Sequence, residues 1–215
     1  MGLLVANAHG VDIRKFGSGN IGATNVGRRL GMRWGVLVLL LDAAKGLSTS
    51  LASGWLVVEY ASALDAHPLY LPDLIRLAVA VACVLGNTAS PYLGFKGGKG
   101  VATALGVLLG IWPHLAWPVA LAFLVWAGIT LTTKLVALAS ICAAIAVPVL
   151  FLGLGAAFDW DLNKRWPLLA LASALAVIVV VRHKSNIERM LRGTEARLGE
   201  PDKEPPPGMT EADAS

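Results

Sequence analysis

The chain has 215 residues, 56% hydrophobic and only 15% charged, with a formal net charge of +4. A soluble domain carries about 25% charged residues, so a water-soluble globular enzyme is excluded, and no nucleic-acid partner is expected. Long uninterrupted apolar runs, in place of short alternating ones, exclude a membrane β-barrel and predict an all-α fold, a polytopic helical bundle.

Residues 1–6 are apolar but too short to span a bilayer or to form a signal-peptide core, and read as the end of a helix that begins before this sequence. Residues 7–33 form a long polar loop. The first full crossing covers 34–58, interrupted by Asp42 and Lys45, and an acidic connection without Lys or Arg follows at 59–73. Further candidate crossings cover 74–93, 101–112 (stopped by Pro113), 115–130, 135–155 and 167–181, six in all. Cys83 and Cys142 each sit inside an apolar run without metal-ligand spacing and read as packing residues. With no repeat of fixed period, residues 1–200 read as one membrane-embedded domain. Residues 201–215, rich in Pro, Asp and Glu, read as a disordered polar tail.

Charge placement orients the bundle. Loop 7–33 carries Arg14, Lys15, Arg28, Arg29 and Arg33 against the single acid Asp12, and the stretch around Lys96 and Lys99, the Lys134 turn and the segment from Arg182 are also basic. Alternating crossings put these four on one face. The other face receives Glu59, Asp65, Asp73, the Pro113-His114 turn and the mixed 159–165 loop. The positive-inside rule then predicts a multi-pass protein of the cytoplasmic membrane with its basic loops in the cytoplasm.

Three of the basic stretches are richer in specific polar residues than connectors require: Gly17-Ser18-Gly19-Asn20-Ile21-Gly22-Ala23-Thr24-Asn25 with Arg28, Gly94-Phe95-Lys96-Gly97-Gly98-Lys99-Gly100, and Arg182-His183-Lys184-Ser185-Asn186-Ile187-Glu188-Arg189 running on to Glu195. Cations, amides, hydroxyls and glycines suit an oxygen-rich anion, phosphate above all. One histidine without a nearby cysteine does not make a transition-metal site, so no metal is expected. A Walker loop is excluded, because Leu93 stands where its first glycine would be and Gly100 where its Ser or Thr would be. Transport of a phosphorylated solute and chemistry on phosphorylated substrates both remain. Transport is disfavoured, because the polar groups gather at one face with Asp42 and Lys45 as the mid-helix charge pair.

In order and spacing, Gly17–Asn25, Gly94–Thr103 and His183-x-x-Asn186-Ile187-x-Arg189 resemble the three signature motifs of the bacterial membrane glycerol-3-phosphate acyltransferases that use acyl phosphate as donor. The resemblance covers roughly residues 5–199. It implies seven crossings, with the motifs on the cytoplasmic side, and transfer of an acyl group from acyl phosphate to the sn-1 hydroxyl of glycerol-3-phosphate, giving lysophosphatidic acid and phosphate. No cofactor is implied, since a mixed anhydride already carries a good leaving group. Carried onto this chain, the resemblance implies Ser18, His183 and Asn186 as catalytic residues. Ser18, Asn20, Thr24 and Asn25 would hydrogen-bond phosphate or the developing oxyanion, with Gly17, Gly19, Gly97, Gly98 and Gly100 as further substrate- and phosphate-binding positions, where glycine lets backbone N–H groups approach the ligand. Arg28, Lys96 and Lys99 would neutralise phosphate charge, with Arg189 as a further anion partner. His183 and Asn186 would orient glycerol phosphate, and the proton acceptor is either His183 or a substrate phosphate oxygen.

Structural alternatives stand beside these roles. Ser18 and Asn25 also suit turn formation, and His183 suits a helix end. Arg29, Arg33, Lys184 and Arg192 read as topology determinants or contacts to membrane-lipid headgroups. Asp42 and Lys45, three apart on one helical face, read as a structural ion pair. Asn87 stands where the family usually has histidine and cannot serve as a base. His9, His67, His114 and His183 all lack an aspartate five residues on, which argues against the His–Asp pair of acyl-CoA-dependent glycerolipid acyltransferases.

Overall fold

The computed structural model describes residues 1–60 and 71–200. Within them the chain forms α1 (Gly2–Asn7), α2 (Ala23–Leu30), α3 (Met32–Glu59), α4 (Leu71–Thr88), α5 (Val101–Leu109), α6 (Ala116–Thr133), α7 (Val136–Ala157), α8 (Trp166–Arg182) and α9 (Lys184–Leu191), with no strand among the described residues. The tail at 201–215 and most of the acidic connection, including Asp65, lie outside the described residues.

Among the described residues, four helices are long and apolar enough to cross a membrane: α3, α4 with the short turn after it, α6 and α7. Bilayer hydrocarbon offers no partner for backbone N–H and C=O groups, so each crossing closes its hydrogen bonds internally. Large apolar side chains such as Leu40, Trp55, Leu124, Val149 and Val177 remain exposed on the outside of the bundle. α8 and α9 form a fifth candidate span bent by 55°. The third of the six expected crossings, 101–112, is corrected to a short interior helix. At nine residues α5 is about 14 Å long, less than half the hydrocarbon thickness. It stops at Gly110, shortly before Pro113, and the chain completes its passage as an irregular turn.

Unlike the outer helices, α5 is surrounded by protein. Thr103 and Val107 are fully buried, and α5 packs most closely against α3. Glycine makes that approach feasible. A Cβ on Gly46 would lie 2.2 Å from the Thr103 carbonyl oxygen, and one on Gly106 would lie 1.9 Å from that of Ala43. Without a hydrophobic drive between helices in lipid, such small-residue contacts supply the packing. Val84, Leu115, Phe151, Leu168 and Leu171 complete the core around α5.

Loop 7–33 is more structured than its polarity suggests, since it contains a 3-10 turn at Ile13–Lys15 and the polar helix α2. The basic segments gather at one end of the bundle. Arg28 Nη2 donates to the Ala196 carbonyl at 2.8 Å, Leu198 N–H to that of Lys134 at 2.8 Å, and Arg182 to those of Gly97 and Gly98. His114 and Arg165 meet at the opposite end, 3.4 Å apart.

Candidate active site

The first polar stretch is shaped from within by Asn25. This side chain is 2% exposed and donates through Nδ2 to the carbonyls of Ile13, Phe16 and Asn20 at 3.2, 3.0 and 2.9 Å. Its Oδ1 accepts the Ser18 N–H at 3.3 Å. With its amide hydrogens committed to the loop, Asn25 acts as the frame of the loop rather than as a donor to a ligand. Gly17 and Gly19 take positive φ angles of 53° and 65°, which turn the chain where a side chain would be strained. The result presents Ser18 and Asn20 to a cavity, followed by Gly22, Thr24 and Arg28 at and along α2. Asn20 Oδ1 accepts the Gly22 N–H at 2.9 Å, and its amide nitrogen has no acceptor among the described residues.

The lysine–glycine stretch folds back on the end of α4, with Gly97 N–H donating to Thr88 O at 3.1 Å. A Cβ on Gly97 would lie 2.2 Å from the Asn87 carbonyl oxygen, so only glycine fits there. Gly100, at φ +78°, caps α5. Two lysines that look equivalent in sequence are separated by this path. Lys99 lines the cavity together with Gly98 and Gly100, whereas Lys96 is exposed and does not line it. Burial pushes the Lys99 ammonium down to about 8, with Arg189, Arg28 and Arg182 adding to the effect and Glu195 opposing it.

The third stretch lies at the bend between α8 and α9. His183 is 2% exposed, and its Nδ1 lies 2.7 Å from the Val179 carbonyl oxygen. A carbonyl only accepts, so Nδ1 carries the hydrogen and Nε2 of the neutral ring keeps a lone pair. Burial, with a smaller effect from the Lys99 charge, lowers the His183 pKa to about 4, so the neutral form persists near neutral pH. Asn186 Nδ2 and Arg189 Nε both donate to the Glu195 carboxylate, at 2.6 and 2.7 Å. Asn186 Oδ1 is buried without a partner among the described residues.

These side chains meet in one cavity of about 300 Å³. Its polar end carries Ser18, Asn20, Thr24, Arg28, Lys99, His183, Asn186 and Arg189. From there it continues between α3, α5, α6, α7 and α8 along Leu39, Leu108, Val119, Phe123, Trp126, Val147 and Leu175. A second, open cavity shares Ser18, Asn20, Lys99, Asn186 and Arg189, and adds Arg182, Lys184, Ser185 and Glu188. The N-terminal residues of α2 and α5 line the first cavity and those of α9 the second, so three helix starts favour negative charge at the junction. Asp42 and Asn87 stand at the wall. Lys45 Nζ lies 3.0 Å from Asp42 Oδ1 and also donates to Asn87 Oδ1, while the Met1 ammonium lies 3.1 Å from Asp42.

Arg182 carries no assigned role in the sequence reading of the third stretch, whereas Glu195 reads there as a salt-bridge partner that positions the basic cluster, and in the structure it accepts from Asn186 and Arg189. Arg182 reads as the first charge of a basic tail. The signal for Glu195 is its position six residues beyond Arg189, close enough for a helix end to fold back. Chemically, the junction suits two anionic groups held together, with an apolar slot for a chain attached to one of them.

The model of the family described as glycerol-3-phosphate acyltransferase matches residues 1–193. The chain is similar to the glycerol-3-phosphate acyltransferase of Geobacter sulfurreducens, 45% identical over 197 residues, which are 92% of this chain and 89% of that protein. The Aquifex aeolicus protein of the same name is 41% identical over 197 residues, 92% of this chain and 91% of its own. Among solved structures, the glycerol 3-phosphate form of PlsY (YgiH), an integral membrane glycerol 3-phosphate acyltransferase, is similar at a TM-score of 0.74 and 37% identity, covering 92% of this chain and 88% of that one. Its lysophosphatidic acid form is similar at 0.72 and 36%, covering 93% and 88%.

Proposed function

The chain belongs to the glycerol-3-phosphate acyltransferase family, and we propose that it transfers a fatty acyl group from acyl phosphate to the sn-1 hydroxyl of glycerol-3-phosphate, releasing lysophosphatidic acid and inorganic phosphate. The observation that carries this reading is the continuity of the cavity. A cation- and amide-lined junction opens directly into an apolar slot, as an acyl chain ending in an anionic, activated head requires.

Arg28, Lys99 and Arg189 offset the repulsion between two phosphate groups, and holding both reactants in one place supplies much of the rate. Ser18, Asn20 and Thr24 hydrogen-bond phosphate oxygens or the oxyanion that develops on the carbonyl. Asn186 Oδ1 accepts from a glycerol hydroxyl, with Glu195 fixing the rest of that amide. The sn-1 oxygen bonds to the acyl carbon, the bond from that carbon to the phosphate oxygen breaks, and the hydroxyl proton leaves with a base. His183 Nε2 is the protein acceptor for that proton, and an oxygen of the departing phosphate is the alternative. Neither path requires an acyl-enzyme. Asn25 serves by holding Ser18 and Asn20 in place, Gly17, Gly19 and Gly97 by shaping the loops, and Asp42 with Lys45 as a structural pair.

The positive-inside rule supports a bacterial inner-membrane location with this end of the bundle in the cytoplasm. Purified protein given labelled glycerol-3-phosphate with acyl phosphate, and separately with acyl-CoA, tests the reading. Lysophosphatidic acid forming only with acyl phosphate is expected. Formation only with acyl-CoA overturns the donor assignment, and vectorial uptake into vesicles without product overturns the chemistry.

A further inference from the structure

Arg182, at the last turn of α8, reaches across the cytoplasmic end of the bundle to a loop far away in sequence. Its Nη2 lies 3.1 Å from the Thr88 carbonyl oxygen, 3.2 Å from that of Gly97 and 3.3 Å from that of Gly98. One charged nitrogen thus gathers three acceptors, two of them consecutive carbonyls in the lysine–glycine loop.

That grip determines the direction of the neighbouring amides. In a planar trans peptide the C=O and the following N–H point to opposite sides. With the Gly97 and Gly98 carbonyls turned toward Arg182, the N–H groups of Gly98 and Lys99 are turned away from it. Among the described residues neither N–H has a protein acceptor, while the Gly97 N–H is taken by Thr88. Gly98 and Lys99 both line the cavity. Consecutive N–H groups displayed in this way form an anion-binding concavity.

We propose that Arg182 is a positioning residue that turns the Gly98 and Lys99 amides into the cavity, where they bind an anionic oxygen of the reacting group. This rests on the acyl-transfer reading for its consequence in catalysis, but the amide orientation itself does not. The oxygen has two sources, a phosphate oxygen of a bound substrate or the carbonyl oxygen as it gains charge in the transition state. The first is a ground-state contact and the second exists only during reaction.

Arg182→Gln, with Arg182→Lys as the conservative partner, separates these. If the amides serve the transition state, Arg182→Gln lowers kcat on the order of 100-fold with KM little changed. If they serve substrate phosphate, KM rises and kcat is retained. In both cases Arg182→Lys, which keeps a cation but not the planar fork, recovers part of the loss. A readout independent of turnover is the amide resonances of Gly98 and Lys99 in labelled wild-type protein titrated with inorganic phosphate. Both are expected to shift, and to lose the shift in Arg182→Gln while the melting temperature shows the variant folded. Should wild-type protein make no product from acyl phosphate, the donor assignment fails and the amide titration still decides the role of Arg182. Unresponsive amides in wild type overturn the proposal. So do unchanged kcat and KM in folded Arg182→Gln, or equal phosphate responses in the two proteins.

Discussion

Lys99 offers the most quantitative consequence of the site, because its charge is held at the edge of being lost. With its pKa lowered to about 8, half the ammonium is gone at pH 8, and the charged fraction falls about fivefold by pH 9 and about tenfold for each pH unit after that. If glycerol-3-phosphate binds only when Lys99 is charged, its KM stays flat below pH 7 and climbs about tenfold between pH 8.5 and 9.5, or about 1.4 kcal/mol per unit. The substrate does not confuse the measurement, because a phosphate monoester loses its second proton near pH 6, well below this range. Initial rates at graded glycerol-3-phosphate from pH 6 to 10, repeated with Lys99→Arg, test the argument. The guanidinium does not titrate in this range, so the alkaline rise should vanish in that variant. Stability runs the other way. A lysine whose folded pKa lies below its unfolded value binds fewer protons when folded, so unfolding free energy rises with pH between about 8 and 10.5. A KM that is flat to pH 10 in wild type, or an equal rise in Lys99→Arg, refutes the reasoning.

Other consequences follow from particular contacts. If His183 takes the proton, the acidic limb of kcat/KM, which reports the free enzyme, should fall near pH 4, and Lys99→Met should move it upward by removing a charge that opposes protonation; a limb that stays in place in Lys99→Met refutes the coupling. Gly106→Ala should destabilise the protein by at least about 1–3 kcal/mol, because the new Cβ meets the Ala43 carbonyl oxygen, while Gly153→Ala, with nothing within 4 Å, should not; denaturation in detergent distinguishes them. Lys45→Met should lower the yield of folded protein by leaving the Asp42 carboxylate less compensated, and Asp42→Asn with Lys45→Met should recover much of it.

How much of this was legible in the sequence depends on how local each signal was. Apolar runs marked every long helix, and the basic segments, put on one face by counting alternating crossings, do gather at one end of the bundle. Hydropathy did not separate α5 from a full crossing, because it registers apolar character and not depth, and an interior helix wrapped by protein is as apolar as one facing lipid. The polar helix α2 was hidden for the opposite reason, since its eight residues include Asn25, Arg28 and Arg29 and bury mainly Asn25 and Val26. Within the motifs, residue type announced chemistry but not direction. Asn25 read both as a ligand donor and as a turn former, and its hydrogen bonds are those of the second, while Lys96 and Lys99 differed only once the turn at Gly97 had aimed one of them inward. Arg182 was missed because its partners lie 84 to 94 residues away, beyond any local pattern.

The central claim is that both anions occupy the junction at once and react without a covalent intermediate. Initial rates measured while glycerol-3-phosphate and acyl phosphate are varied together test it most directly. Intersecting reciprocal plots, with lysophosphatidic acid and phosphate appearing in equal amounts, are predicted. Parallel plots, with an acyl group left on protein treated with acyl phosphate alone, would contradict it.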